Sequence, residues 1–210
     1  MSIGKRLFAF MYHNFLSSQG HIDLSDDFTR EVRVPLLAKA QGDVLEIGAG
    51  DGANLPYYPD GVSLTLLDPN PYLLRHAPEV AARRGFEVET ELAYAEALPF
   101  PDAHFDTVVT THVLCSVRDQ ARALAEIRRV IRPGGLFLFL EHVAARPETF
   151  TYRVQHVINP AWKLVGDGCH LTRNTATAIQ DAGFSRVELR AFEADGLGIV
   201  SPHIVGQAVR

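Results

Sequence analysis

Cysteine is scarce in this chain: two residues, Cys115 and Cys169, among 210, and no CxxC spacing. That excludes a disulfide-stapled secreted scaffold, fits a reducing cytoplasm, and gives no support to a metal site on paired thiolates. A charge excess is missing too. Lys and Arg number 20 against 25 Asp and Glu, for a net charge of −5 with the signs interspersed, so no nucleic-acid partner is expected. No apolar run approaches the ~20 residues that span a bilayer, so no stable membrane insertion is expected either. Internal repeats and low-complexity tracts are absent. What remains is one soluble globular domain, 47% hydrophobic and 21% charged, with a cytoplasmic setting.

The chain opens on "MSIGKRLFAFMYHNFLSS". Lys5 and Arg6 precede apolar residues as in a signal peptide, but His13 and Asn14 interrupt the run early, and the segment reads as uncleaved. Ile3, Leu7, Phe8, Met11, Phe15 and Leu16 fall near i, i+4, i+8 spacing, which predicts a helix with one apolar face packed on the domain. A short basic amphipathic helix of this kind can also make weak contact with a membrane surface. Residues 1–40 are read as a helical cap or lid and 41–210 as a single unit.

Short apolar runs then alternate with longer helical patterns, the signature of a parallel sheet covered on both faces by helices. Strands are predicted at 43–48 ("DVLEIG"), 62–68 ("VSLTLLD"), 86–92 ("FEVETEL"), 105–112 ("FDTVVTTH") and 135–143 ("GLFLFLEHV"). A helix over 118–131 carries Ala121, Leu124, Ile127 and Ile131 on one face and stops at "RPGG". Beyond the fifth strand come a long connection, a helix over 175–182, and two further strands, 183–192 and 203–210. No helix separates that last pair, so they must run antiparallel, since a parallel return needs about a dozen residues or more. The fold class is α/β: a Rossmann-like, seven-stranded, mostly parallel sheet with an antiparallel last strand.

The most informative stretch is "VLEIGAGDGANLPYYP". Glycines 48, 50 and 52 crowd one bend after the first strand, where open α/β sheets bring backbone against a nucleotide-like ligand. Gly48, Gly50 and Ala53 also satisfy the dinucleotide pattern, with Asp68 placed 18 residues after Gly50 to hold ribose hydroxyls, so NAD competes with S-adenosylmethionine. Three features favour the sulfonium compound. Glu46 shares a side of the strand with Gly48 and suits an ammonium, whereas it would repel a pyrophosphate. The third glycine gives G-x-G-x-G spacing, and the sheet ends antiparallel.

"LLDPNPYLL", "AEALPFPDAHFDTVVTTHVLCSV", "EIRRVIRPGGLFLFLEHV", "NPAWKLVGDGCHLTR" and "SPHIVGQAVR" complete a pattern that resembles the class I S-adenosylmethionine-dependent methyltransferases. More closely, it is similar to bacterial relatives of the animal thiol S-methyltransferases, over nearly the whole chain. The sequence departs from that pattern at Asp51 (commonly Thr), at His112 (apolar in the animal proteins) and at His170 (Asn there), and it lacks their long hydrophobic amino-terminal anchor.

The resemblance implies that Gly48, Ala49, Gly50 and Gly52 wrap the methionine end and ribose, that Asp68 holds the ribose hydroxyls, and that Ala95 and Glu96 meet the adenine edge. Tyr94 stands where many relatives have Asp, and either packs or stacks on the base. Asn54, Pro69, Thr111 and Tyr12 join the cofactor-binding set, Tyr12 as part of a lid. His112 ends the fourth strand where the methyl should point, and can orient a nucleophile or accept its proton. Glu141 and His142 end the fifth strand, alternation sends one of them inward, and His142 is favoured. Cys169 and His170 look like a nucleophilic pair, but methyl transfer needs no enzyme nucleophile and sequence neighbours seldom face each other, so Cys169 is read as packed. His13, Trp162 and His170 are assigned to the acceptor pocket, with Phe150 and Tyr152 as apolar walls. Asp106 is a strand-edge acid outside the site, and Arg33 and Arg173 are surface or salt-bridging groups. The acceptor expected is a small, fairly apolar molecule, a thiol first, with quinone-like or lipid-amine acceptors as alternatives. A nicotinamide-dependent oxidoreductase and a silent adenosine-binding module are the rivals from other classes.

Overall fold

A computed structural model describes residues 5–6 and 28–210. Tyr12, His13 and the amphipathic segment read at the amino terminus lie outside them. Seven strands form one sheet in the order β3-β2-β1-β4-β5-β7-β6. They are β1 (Asp43–Ile47), β2 (Ser63–Leu67), β3 (Val88–Glu91), β4 (Phe105–Thr111), β5 (Ile131–His142), β6 (Arg186–Glu193) and β7 (Pro202–Val209). The first five pair in parallel, and β7 runs antiparallel between β5 and β6, as the short connection between the last two strands requires.

Period-2 alternation divides the strand side chains between two apolar layers. Leu45, Ile47, Phe137 and Phe139 enter one layer, with Leu124 and Ile127 of α4 (Gln120–Val130) and Ile179 of α6 (Thr175–Asp181). Val44, Leu138 and Leu140 enter the other, with Leu36 and Leu37 of α1 (Val34–Leu37) and Ala77 and Ala81 of α3 (Ala77–Arg83). A short α2 (Pro71–Leu74) follows β2, capped by Asn70, whose side chain accepts from the Tyr72 amide. Helices thus cover both faces, and the ligand edge of the parallel strands stays open.

Three local expectations change. On α4 the buried residues are Ala123, Leu124, Ile127 and Val130; Ala121 faces solvent and Ile131 already belongs to β5. "RPGG" does not simply end the helix. It opens β5 with an irregular register between Phe105↔Ile131 and Thr107↔Leu136, and Arg132 from this bulge reaches Asp106 at 2.5 Å and Asp43 at 2.9 Å. The long connection holds a 16-residue helix, α5 (Phe150–Val165), whose N-cap Thr149 accepts from the Tyr152 amide at 3.2 Å.

Candidate functional site

The bend after β1 is a backbone construction. Both the Gly48 and the Ala49 amides donate to the Leu67 carbonyl, at 2.7 and 3.1 Å, which turns the chain across the end of β2. All three glycines have positive φ, but they do different work. A Cβ on Gly48 would stand 2.4 Å from Val113 Cγ2, on the wall of the cavity, whereas one on Gly52 would stand 2.6 Å from Leu55 Cδ1, in the core. Gly52 therefore does not touch the cavity as the resemblance implied; it lets the bend close onto the core.

That cavity, of about 420 Å³, lies at the carboxyl edge of β1, β2 and β4, in the size range of small-ligand sites. It gathers Glu46, Gly48, Ala49, Gly50, Asn54, Asp68, Pro69, Ala95, Glu96, Thr111 and His112 from the sequence reading, with Ala53 and Tyr94. Two cations approach the exposed Tyr94 ring: Lys5 Nζ is 4.7 Å and the Arg118 guanidinium 4.9 Å from its centroid. Lys5 Nζ also donates to the Pro69 carbonyl at 2.7 Å. Glu96 presents its backbone side, because its carboxylate accepts from the Arg118 and Asp119 amides at 2.6 and 3.3 Å.

Glu46 is buried with both oxygens engaged: Asn54 Nδ2 donates at 2.8 Å and the Tyr58 hydroxyl at 3.0 Å. Asn54 Nδ2 also donates to Thr111 Oγ1 at 2.6 Å, which ties β1 to the end of β4. Burial raises the Glu46 carboxyl to about 7 despite those bonds. Asp68 accepts from the Gly50 and Asn70 amides at 3.0 and 2.7 Å, and burial brings it to about 6. Arg33 is a correction: it is buried on the cavity wall, not a surface group, and its Nε has no partner among the described residues. Its only sequence signal was its place one turn before a buried apolar pair, Leu36 and Leu37. Asp167 and Gly168 of "DGCHLTR" also line the cavity and were missed as site residues.

His112 directly follows β4, at φ +58°, with its Nε2 3.0 Å from His203 Nε2. His203 Nδ1 lies 2.8 Å from the Ser201 carbonyl, which can only accept, so His203 carries its proton there and its Nε2 accepts from His112 Nε2–H. The remaining lone pair of His112 is on Nδ1. Burial first, then the neighbouring His203, His142 and Arg33, hold the His112 imidazole well below its ordinary value, so it is neutral at neutral pH.

The strand-end choice between Glu141 and His142 resolves differently from the alternation argument. Neither lines the cavity. Buried Glu141 accepts from the Val113 and Leu114 amides at 3.2 and 3.1 Å and so fixes the turn after β4. His142 Nε2 instead lies 2.8 Å from Cys169 Sγ, to which Trp162 Nε1–H donates at 3.3 Å. Cys169 thus faces His142, not its neighbour His170, and Cys115 completes a cluster of three that sequence spacing could not reveal. The Cys115 thiol, and after it His142 and Trp162, hold Cys169 down to about 4. Trp162 and His170 are likewise not on the cavity wall, and Phe150 is 81% exposed. Asp106 stays outside the site as expected, bound by Arg132; Arg173 is half-buried and donates to the Leu114 carbonyl at 2.7 Å.

Residues 45–139 match the family described as a methyltransferase domain. A thiol S-methyltransferase of Homo sapiens is 42% identical over 174 residues, covering 80% of this chain and 70% of that one. A phosphatidylethanolamine N-methyltransferase of Cereibacter sphaeroides is 38% identical over 105 residues, 49% of this chain and 52% of its own. Among solved structures, phosphoethanolamine N-methyltransferase 2 of Haemonchus contortus in complex with S-adenosyl-L-methionine superposes with a TM-score of 0.66. It is 16% identical, over 99% of this chain and 57% of that one. The residues present fit S-adenosylmethionine: Glu46 for the ammonium, Asp68 for the ribose hydroxyls, and the unpartnered Arg33 N–H for a carboxylate. Identity at this level across most of both chains settles the ancestry, and the chain belongs to the class I S-adenosylmethionine-dependent methyltransferases.

Proposed function

We propose that this enzyme methylates the sulfur of a small, fairly apolar thiol. The observation that carries the reading is His112: a partly buried, neutral imidazole on the cavity wall, its tautomer set by His203 and Ser201. The 42% identity to a thiol S-methyltransferase points to the same acceptor class. S-adenosylmethionine, when bound, supplies an electrophilic methyl on a sulfonium. The chain's part is to hold the acceptor in line, keep water out, and take away one proton as the thioether forms. A thiol, with an ordinary pKa near 8.5, is already partly ionised at neutral pH, so a weakly basic imidazole suffices for it. A phenol or carbon acid demands a stronger base.

Incubation with labelled methyl donor and a panel of thiols, phenols and amines tests the acceptor. The expected product is a methyl thioether. His112→Ala should lower turnover at least about tenfold near pH 7 and recover as pH rises and the thiol ionises unaided. Methylation confined to amines or phenols, or an unchanged rate and pH profile in the variant, refutes the proposal.

A further inference from the structure

We propose that Cys115, His142 and Cys169 form a three-donor site for a thiophilic divalent cation of the zinc class, with the fourth tetrahedral position left to a non-protein ligand. The three side chains come from three places: the turn after β4, the end of β5, and the loop between α5 and α6. Their donor atoms nevertheless lie within 4.8 Å of one another. Ordinary apolar packing does not require two sulfurs and an imidazole nitrogen to face each other, and the neighbouring core is apolar, with Leu114 and Leu171 fully buried. Two thiolates and a neutral imidazole are a donor set selective for zinc-class ions. Binding would release to solvent the protons held by the two thiols and leave the imidazole proton of His142 on Nδ1, freeing Nε2 for the metal.

The supports around the cluster suit thiolate ligands. Trp162 Nε1–H donates to Cys169 Sγ, and Ser116 Oγ lies 3.6 Å from Cys115 Sγ. The His170 amide donates to the Cys115 carbonyl at 2.9 Å, clamping the two cysteine segments together. Arg173, anchored on the Leu114 carbonyl, is a half-buried cation on the loop that carries Cys169, placed to offset negative charge on thiolate ligands. With metal–sulfur bonds of about 2.3 Å and a metal–nitrogen bond of about 2.0 Å, tetrahedral donors stand roughly 3.5 to 3.8 Å apart. The 2.8 Å between His142 and Cys169 would open by less than about 1 Å, within reach of side-chain rotation. Ser116 and Gly168, next in sequence to the two cysteines, line the cavity, so the cation would stand directly behind its wall.

The test is titration of the reduced, chelator-stripped full chain with Co²⁺, followed by displacement with Zn²⁺. One equivalent of Co²⁺ should develop strong sulfur-to-metal charge-transfer absorption, and one equivalent of Zn²⁺ should abolish it. Cys115→Ser and Cys169→Ser should each weaken Co²⁺ binding at least about 100-fold, beyond what loss of a supporting contact costs. His142→Cys should retain binding with stronger sulfur absorption. Calorimetric binding of S-adenosylhomocysteine, which uses none of the three residues, reports that each variant is folded. No charge-transfer absorption in the reduced wild type, or absorption unchanged in both folded serine variants, overturns the proposal.

Discussion

Gly48 and Gly61 both hold a left-handed φ, +69° and +84°, but only one of them has a neighbour waiting for its missing side chain. At Gly61 no atom lies within 4 Å of where a Cβ would stand, while at Gly48 Val113 Cγ2 would be met at 2.4 Å. Gly61→Ala should cost only the backbone strain, about 1–2 kcal/mol, and leave cofactor binding alone. Gly48→Ala carries the same strain and pushes against the cavity wall, so its affinity for S-adenosylhomocysteine should fall at least about tenfold by calorimetry. Equal binding by the two variants would count against this account. The cavity face of β1 was legible because alternation is local: Glu46 and Gly48 follow from one strand. Arg33, Gly52 and the Cys169–His142 contact were not, since each is decided by which distant element arrives beside it.

Elements show the same division between local and distant causes. β1 and β4 could be read from hydrophobic period alone; for α4 the period gave Leu124 and Ile127 but not the rest of the buried face, and its cap, Asp119 accepting from the Arg122 amide at 3.1 Å, was a further signal. α5 escaped notice because its apolar stripe does not face the core: Pro160 lies inside it, Phe150, Val157 and Leu164 are exposed at seven-residue spacing, and among its described side chains the fully buried one is the polar Gln155. Gln155 accepts from the Ala145 amide and donates to the Ile199 carbonyl, so this helix is docked through polar contacts that carry no hydrophobic period. The Thr149 cap was the signal available. The turn after β4 depends in turn on β5, through Glu141. Glu141→Leu should leave the Val113 and Leu114 amides buried without an acceptor, at a cost of about 3 kcal/mol, read as a lower urea midpoint with an unchanged slope. A loss below about 0.5 kcal/mol would mean that those amides find another acceptor.

Across the whole molecule, cofactor binding should be linked to proton release. The cavity wall carries two carboxyls raised by burial, Glu46 to about 7 and Asp68 to about 6, from ordinary values of 4.5 and 3.8. Below its raised value the free protein holds a proton on Glu46, yet the ligand's ammonium favours the carboxylate. Binding must therefore expel that proton and weaken as the pH falls. Treating Glu46 alone, affinity for S-adenosylhomocysteine should rise about tenfold from pH 6 to pH 8, and heats measured in buffers of different ionisation enthalpy should show proton release. Glu46→Gln keeps an acceptor oxygen for Asn54, meets the Tyr58 hydroxyl with its NH2, and cannot ionise. Its affinity should be roughly 10- to 100-fold lower at pH 8, and only about a twofold pH dependence, from Asp68, should remain. A wild-type affinity that is flat or falls between pH 6 and pH 8 would show that Glu46 is not the ammonium's partner. A slope that survives intact in Glu46→Gln would place the linked proton on another group.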